Sequence, residues 1–534
     1  MQTSHDAVPP ETPEEVRARA EQHEARTPQF DPTCGITVEV AGRTGTPPHR
    51  LVVLGDSLSQ GFQSGAVLNT DLSWPAVVAH ELGWSDRYRF PVYGGPGGLP
   101  MNLELLLRRL EERFGRELSF WEVPMALFAA RSFMDEVEDY WERGPGSRAP
   151  RLDAYNHDLA VYGWNLRDVL SRTAKLAEKT LDRPNDAWLN QVVENDSQRA
   201  ALRVYPHWNA ATEKQTLLDA AAALGADHDA GTEAGIETLV VLLGANNALP
   251  TVTKLAVRWS GDDFRDLDTK GKYTVWRPEH FAAELAEVVA AVRRIKARHV
   301  IWCTVPHVTI APIARGIGGK LRPGSRYFPY YARPWVRDEQ FDARRDANIT
   351  GAQARAVDAT IDLYNEGIEQ AVSDARSGTD GVVRDWLLLD LAGLLDRLAA
   401  RRYIADPNAR PSWWTPYPLP PVLAALDPPL DSRFLTADGR GGRATGGLFS
   451  LDGVHPTTVA YGLIAQEVMS IQQRAGVTFY DVTGHERPAP VLVDFHRLLR
   501  RDTLVLHPPQ NINSTLDALG WADEHLGWVT RALT

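Results

Sequence analysis

A serine hydroxyl becomes a useful nucleophile only when a base removes its proton, so a serine at a strand end and an acid–histidine pair are the first residues to weigh. The chain has both. Ser57 follows the apolar run of "LVVLGDSLSQG", and Asp452 and His455 stand three residues apart in "LDGVHPT". An aspartate at that spacing on a turn can reach the imidazole Nδ1–H and leave Nε2 facing the nucleophile. Attack on a carbonyl puts negative charge on its oxygen, which calls for preorganised donors. Asn246 in "VVLLGANNAL" offers a side-chain amide, with Asn247 beside it. The run "VYGGPGGLP" places Gly94, Gly95, Gly97 and Gly98 before a helical pattern, where a backbone N–H without a neighbouring side chain can approach closely. The run by itself does not choose among the four.

Competing chemistries fail on spacing. A Gly-x-Ser-x-Gly elbow would need glycine where Ser59 stands. "ARGIGGKL" lacks the first glycine and the terminal hydroxyl of a phosphate-binding loop. Asp227, His228 and Asp229 have no second His or Cys pair to complete a metal site, so no metal and no cofactor are expected. His307, after "VIWCTVP", is a pocket-lining candidate, although a structural histidine is the commoner outcome.

Elements must carry these residues to one place. "RLVVLGDS" from Arg50, "ETLVVLLGANN" from Glu237, "RHVIWCTVP" from Arg298 and "DWLLLDL" from Asp385 read as buried parallel strands, with "RYRFPVY" from Arg87 a weaker fifth. Helical patterns lie between them, as in the stretch from Glu279, where Phe281, Leu285, Val288, Val292 and Ile295 mark one face. The alternation predicts a doubly wound, mainly parallel five-stranded α/β sheet, with ligands at the carboxyl ends of the strands. Ser57 and Asn246 fall at such ends.

The predicted organisation is an N-terminal segment over 1–48, a catalytic-type domain over 49–475 and a C-terminal extension over 476–534. Insertions are expected at about 116–235, as a helical cap, and at 308–384, as a lid or loop followed by a helix. That helix is marked by Val357, Ile361, Ile368 and Val372. A Pro/Gly-rich irregular stretch covers 406–447. The second insertion follows a strand end, so its aromatic residues Tyr327, Tyr330 and Trp335 are expected, with His307, to wall the pocket that holds Ser57.

Composition narrows the partners. With 57 basic against 69 acidic residues the net charge is −12, which disfavours nucleic acid. Cys34 and Cys303 are too few for a disulfide framework. No signal-type leader and no long apolar run are seen, so a cytoplasmic location is expected. Peripheral membrane contact stays open through the aromatic stretches "SRYFPYYARPW" and "SWWTPYPLPP".

Taken together, "GDSLSQG", "GGPGGLP", "GANN" and "DGVHPT" resemble the four motif blocks of the SGNH, or GDSL, hydrolase superfamily, in the family's chain order. Asn247 departs from the Asp often found there, and the second block lacks its asparagine-containing lead-in. The resemblance implies a flavodoxin-like three-layer sandwich and a metal-independent serine esterase or lipase. Ser57 would be the nucleophile, His455 the base and Asp452 its orienting acid, with Ser57, Asn246 and Gly98, for which Gly97 is the rival, as oxyanion donors. A small-molecule or lipid ester would be the substrate. The superfamily uses the same machinery on thioesters and acetylated sugars and for acyl transfer, and a non-catalytic descendant would keep the cleft only for binding.

Overall fold

The residues from His49 to Gly55 are buried throughout and form an interior strand of a parallel sheet. A computed structural model describes residues 6–39, 45–181, 193–205, 208–228 and 232–518. Asp229 of the acidic triplet lies outside them. The sheet has five strands: β1 (His49–Gly55), β2 (Asp158–Ala160), β3 (Ile236–Leu242), β4 (Ala297–Cys303) and β5 (Trp386–Leu389). Their order across the sheet is β5-β4-β3-β1-β2, and every pairing is parallel. A parallel sheet is covered on both faces, which is why β1 and β3 carry no exposed residue and read as continuous apolar runs.

The covering helices form two groups. α1 (Trp74–Glu81) packs on β1, and α6 (Thr458–Arg474) packs on both α1 and β5. In the second group α2 (Leu217–Ala226), α3 (Pro278–Val292) and α4 (Gly351–Ser377) pack in succession, with α2 against β1 and α4 against β4 and β5. α4 opens with a reciprocal cap in which Thr350 and Gln353 each accept the other's backbone N–H. It ends at Gly378 in the left-handed region. The apolar stripe predicted for it, Val357, Ile361, Ile368 and Val372, is buried, as is the stripe predicted for α3.

Two expectations need correction. The fifth strand is β2, whereas residues 88–98 run irregularly. The Arg89 carbonyl accepts from His157 and Asp158 at the start of β2 but forms no ladder. β2 was hidden because an edge strand of three residues that opens on Asp158 has no long apolar run to betray it. Residues 116–235 are likewise not a separate cap, since they contain β2 and α2. Residues 308–384 hold a three-stranded antiparallel patch, Arg315–Ile317 with Tyr330–Ala332 and Ile349–Thr350, and then α4.

The N-terminal segment is built into the domain. Leu388 of β5 donates to the Pro32 carbonyl at 2.8 Å, so part of the sheet edge is covered. Asp390 caps α5 (Leu391–Leu398) by accepting from Gly393 N at 2.9 Å. It also accepts from Thr304 Oγ1 at 2.8 Å, Gln29 N at 2.7 Å and both terminal nitrogens of Arg26 at 3.1 and 2.9 Å. Both members of this pair are buried. Removing one partner of a buried ion pair leaves an uncompensated charge, so Arg26→Met is expected to lower unfolding free energy by about 3–5 kcal/mol in urea titration. A change below about 1 kcal/mol would mean that the segment does not anchor α5.

Candidate active site

Ser57 owes its position to the turn that ends β1. A side chain on Gly55 would collide with Ser59, so only glycine permits the chain to close so tightly into the helix Ser57–Gln60. Asp56 caps that helix, accepting from Leu58 N at 3.1 Å, and Ser57 is its first residue, 4% exposed. Burial pushes the Asp56 carboxyl up to about 7, against the Leu58 hydrogen bond and the nearby His455, which both favour its charged form.

The loop before α6 presents the histidine. Asp452 Oδ2 lies 3.0 Å from His455 Nδ1 and accepts from Gly65 N at 2.9 Å. Its Oδ1 accepts from the backbone of Val454 and of His455, each at 2.8 Å. Burial favours the neutral acid, but the His455 ring and these N–H donors outweigh it and hold the carboxyl below its usual range. With Nδ1 engaged, Nε2 is left as the ring nitrogen for proton transfer. The Phe62 ring packs 4.4 Å from the imidazole, and the Ser450 hydroxyl accepts from Ser64 N at 2.8 Å, joining this loop to the turn after Ser57's helix.

Asn246 follows β3 after Gly244, whose φ of +115° suits only glycine. Its Nδ2 donates to the Trp164 carbonyl at 2.9 Å and, over a long 3.3 Å, to Asp56 Oδ2. The second proton is therefore weakly held at the edge where Ser57 stands. Asn247 is wholly buried and its Oδ1 accepts from Leu166 N at 3.4 Å, a packing role.

The glycine run is not placed as expected. Gly98 adjoins Leu99–Pro100, which pairs with Ala66–Val67, and its carbonyl accepts from the Trp141 indole at 2.7 Å. Gly97 packs on Asn102 and Leu105. Neither lines the cavity on which Ser57 lies, and among the described residues neither makes a hydrogen bond to Ser57's helix or to Asn246. The glycine at the end of the neighbouring strand is Gly163, missed by sequence reasoning. It has φ +75°, faces open space and sits between Tyr162, whose N–H donates to Gln60 of Ser57's helix at 2.8 Å, and Trp164, which anchors Asn246. "LAVYGW" offers only a weak signal, a four-residue apolar run that stops at a glycine, too short to mark a strand by itself.

Ser57 and His455 share the wall of a cavity of about 110 Å³. The remainder is almost wholly apolar, with Leu249, Leu391, Leu394, Leu398, Leu463 and Ile464 prominent. His307 also lines it, but as an ion: Nε2 is 2.9 Å from Asp362 and Nδ1 3.2 Å from Asp396. Burial works against its charge, yet Asp396, Asp358 and Asp362 prevail and push it up to about 10. Tyr327, Tyr330 and Trp335 do not line this cavity. Tyr327 is buried with its hydroxyl 3.0 Å from Asp358, Tyr330 packs on Phe341, and Trp335 is half-buried against the core. Phe328, Tyr331 and Trp414 of the two aromatic stretches are buried as well, so these side chains form no outer face. The large apolar side chains left exposed include Phe120, Trp121, Met125 and Phe128.

No helix among the described residues is long and apolar enough to cross a membrane. No family model matches the chain, and no curated protein or solved structure matches it either.

The His307 cluster yields a signed pH dependence. Its folded pKa of about 10 exceeds the ordinary 6.5, so its ion pairs contribute fully below pH 6.5 and are lost as pH rises toward 10. His307→Gln is therefore expected to be destabilised most at pH 6, with the gap to wild type closing by pH 10 in urea titrations. A gap that widens with pH would contradict the charged assignment.

Proposed function

We propose that this chain is a serine hydrolase that cleaves carboxylic esters of short-chain acids through an acyl-enzyme. The observation that carries the reading is the placement of Ser57 and of His455, held by Asp452, on one apolar cavity. The crevice at this point arises because the chain leaves β1 toward β2 on one side and returns to β3 on the other. Resemblance to the SGNH hydrolases supports it through Ser57, Asn246, Asp452 and His455 in chain order, and the sheet order is the flavodoxin-like one.

In this reading Ser57 Oγ attacks the ester carbonyl as His455 Nε2 takes its proton. Asp452 stays ionised, fixes the tautomer and stabilises the imidazolium. The oxyanion is held by the backbone N–H groups of Ser57 and Gly163 and by Asn246 Nδ2, with Gly163 in the place first given to Gly98. Collapse of the intermediate expels the alcohol, which receives the proton from His455, and water repeats the sequence on the acyl-enzyme. Ser57 and His455 make no mutual hydrogen bond among the described residues, and such a bond commonly tightens only on the way to the transition state.

The apolar lining favours an acyl chain over a sugar ring. A 150 Å³ apolar cavity accommodates benzene, so 110 Å³ suits an acyl chain of roughly four carbons. The p-nitrophenyl ester series is expected to peak near butyrate, and Leu394→Trp to remove the preference over acetate. Ser57→Ala should abolish turnover, and full activity there would overturn the proposal. Asn246→Ala should lower kcat by roughly 10²–10³ with a much smaller change in KM, whereas an equal loss in Asn247→Ala would exchange the roles of the two amides.

A further inference from the structure

A second cavity, of about 310 Å³, lies across a thin wall from the first. Val308, Ala311 and Leu398 face the Ser57 cavity, while Thr309, Ile310, Ala399 and Ala400 face the other. Its lining contains Arg315, Arg326, Arg401, Arg402 and Arg433 and no carboxylate. Five cations around one hollow are costly unless something negative compensates them.

The acids that do so stand outside the lining and answer only part of the charge. Arg315 pairs with Asp338 at 2.6 Å, Arg433 with Asp431 at 2.5 Å and Arg402 with Asp358 at 2.7 Å. Arg402 is 5% exposed; its Nη2 also donates to Thr309 Oγ1 at 2.6 Å, while its Nη1 has no hydrogen-bond partner and only a long ion pair to Asp396 at 3.7 Å. Among the described residues Arg401 donates to the Gly316 carbonyl alone, at 2.7 Å, and lies 4.4 Å over the Phe328 ring. Arg326 donates to the Glu24 carbonyl at 2.6 Å. Among the described residues neither Arg326 nor Arg401 has a carboxylate in ion-pair range. Lys320, on Phe328 at 4.8 Å, is pushed down to about 8 by burial and by Arg402, consistent with an unneutralised positive field.

We propose that this cavity binds a small phosphate monoester, with the phosphoryl group on Arg401 and Arg402 and the organic part against Phe434. Two arginines with unused N–H groups match a dianion, whose oxygens accept paired N–H donors from planar guanidinium forks. Ser432, Thr436 and Thr445 add hydroxyls to the lining, and the volume lies at the lower end of small-ligand sites. The site is separate from Ser57 and stands or falls independently of the esterase reading.

The test is calorimetric titration of the full chain with inorganic phosphate and with phenyl phosphate, alongside sedimentation with phosphatidic acid vesicles. Saturable one-to-one binding is expected, tighter for phenyl phosphate than for phosphate. Arg401→Gln should weaken it at least tenfold and Arg401→Lys less, while p-nitrophenyl acetate turnover is unchanged in both. Vesicle binding that Arg401→Gln abolishes would assign the phosphate to a lipid headgroup, and its absence to a free small molecule. No saturable binding at millimolar ligand, or equal affinity in folded Arg401→Gln, would overturn the proposal.

Discussion

The Asp452 carboxylate is the interaction on which the site depends. It is 2% exposed and is approached by one imidazole and three backbone N–H groups, two from its own loop and one from Gly65. A buried charge persists only when donors of this kind compensate it. Because those donors come from two chain segments, the carboxylate's solvation requirement brings the loop before α6 onto the turn that follows Ser57. Orientation of His455 is thus a by-product of satisfying Asp452. The same economy governs His307, whose charge reconciles Asp362 and Asp396 in the wall of the apolar cavity.

Much of this was legible in the sequence. Four of five strands were visible because a parallel strand buried on both faces must be an apolar run, and their ends located Ser57 and Asn246. The Asp-x-x-His spacing carried its own geometry. β2 was not legible: it is short, lies at an edge and begins with Asp158, so local pattern gave no reason to prefer it over the run from Arg87. Without β2 in view, the four glycines in "VYGGPGG" outweigh the single Gly163 as a candidate. The Gly97–Gly98 turn instead serves close packing against Val67 and Asn102.

The aromatic and basic residues of 316–333 illustrate a different limit. Their place after a strand end predicts a wall of the Ser57 pocket, but no one-dimensional pattern says which of two cavities a loop will wall. Asp358, Asp362 and Asp396 decide it. They lie on α4 and α5, distant in sequence, and draw Tyr327, Arg402 and His307 into one buried network, so the loop is held on the far side of the 308–312 wall.

The most direct measurement of the central claim is intact-protein and peptide mass spectrometry after treatment with a fluorophosphonate, which phosphonylates only a serine activated by a neighbouring base. One adduct, located on Ser57 and absent from His455→Ala, is the result predicted. A folded protein that takes no adduct, or takes it on another residue with Ser57 unmodified, would contradict the account.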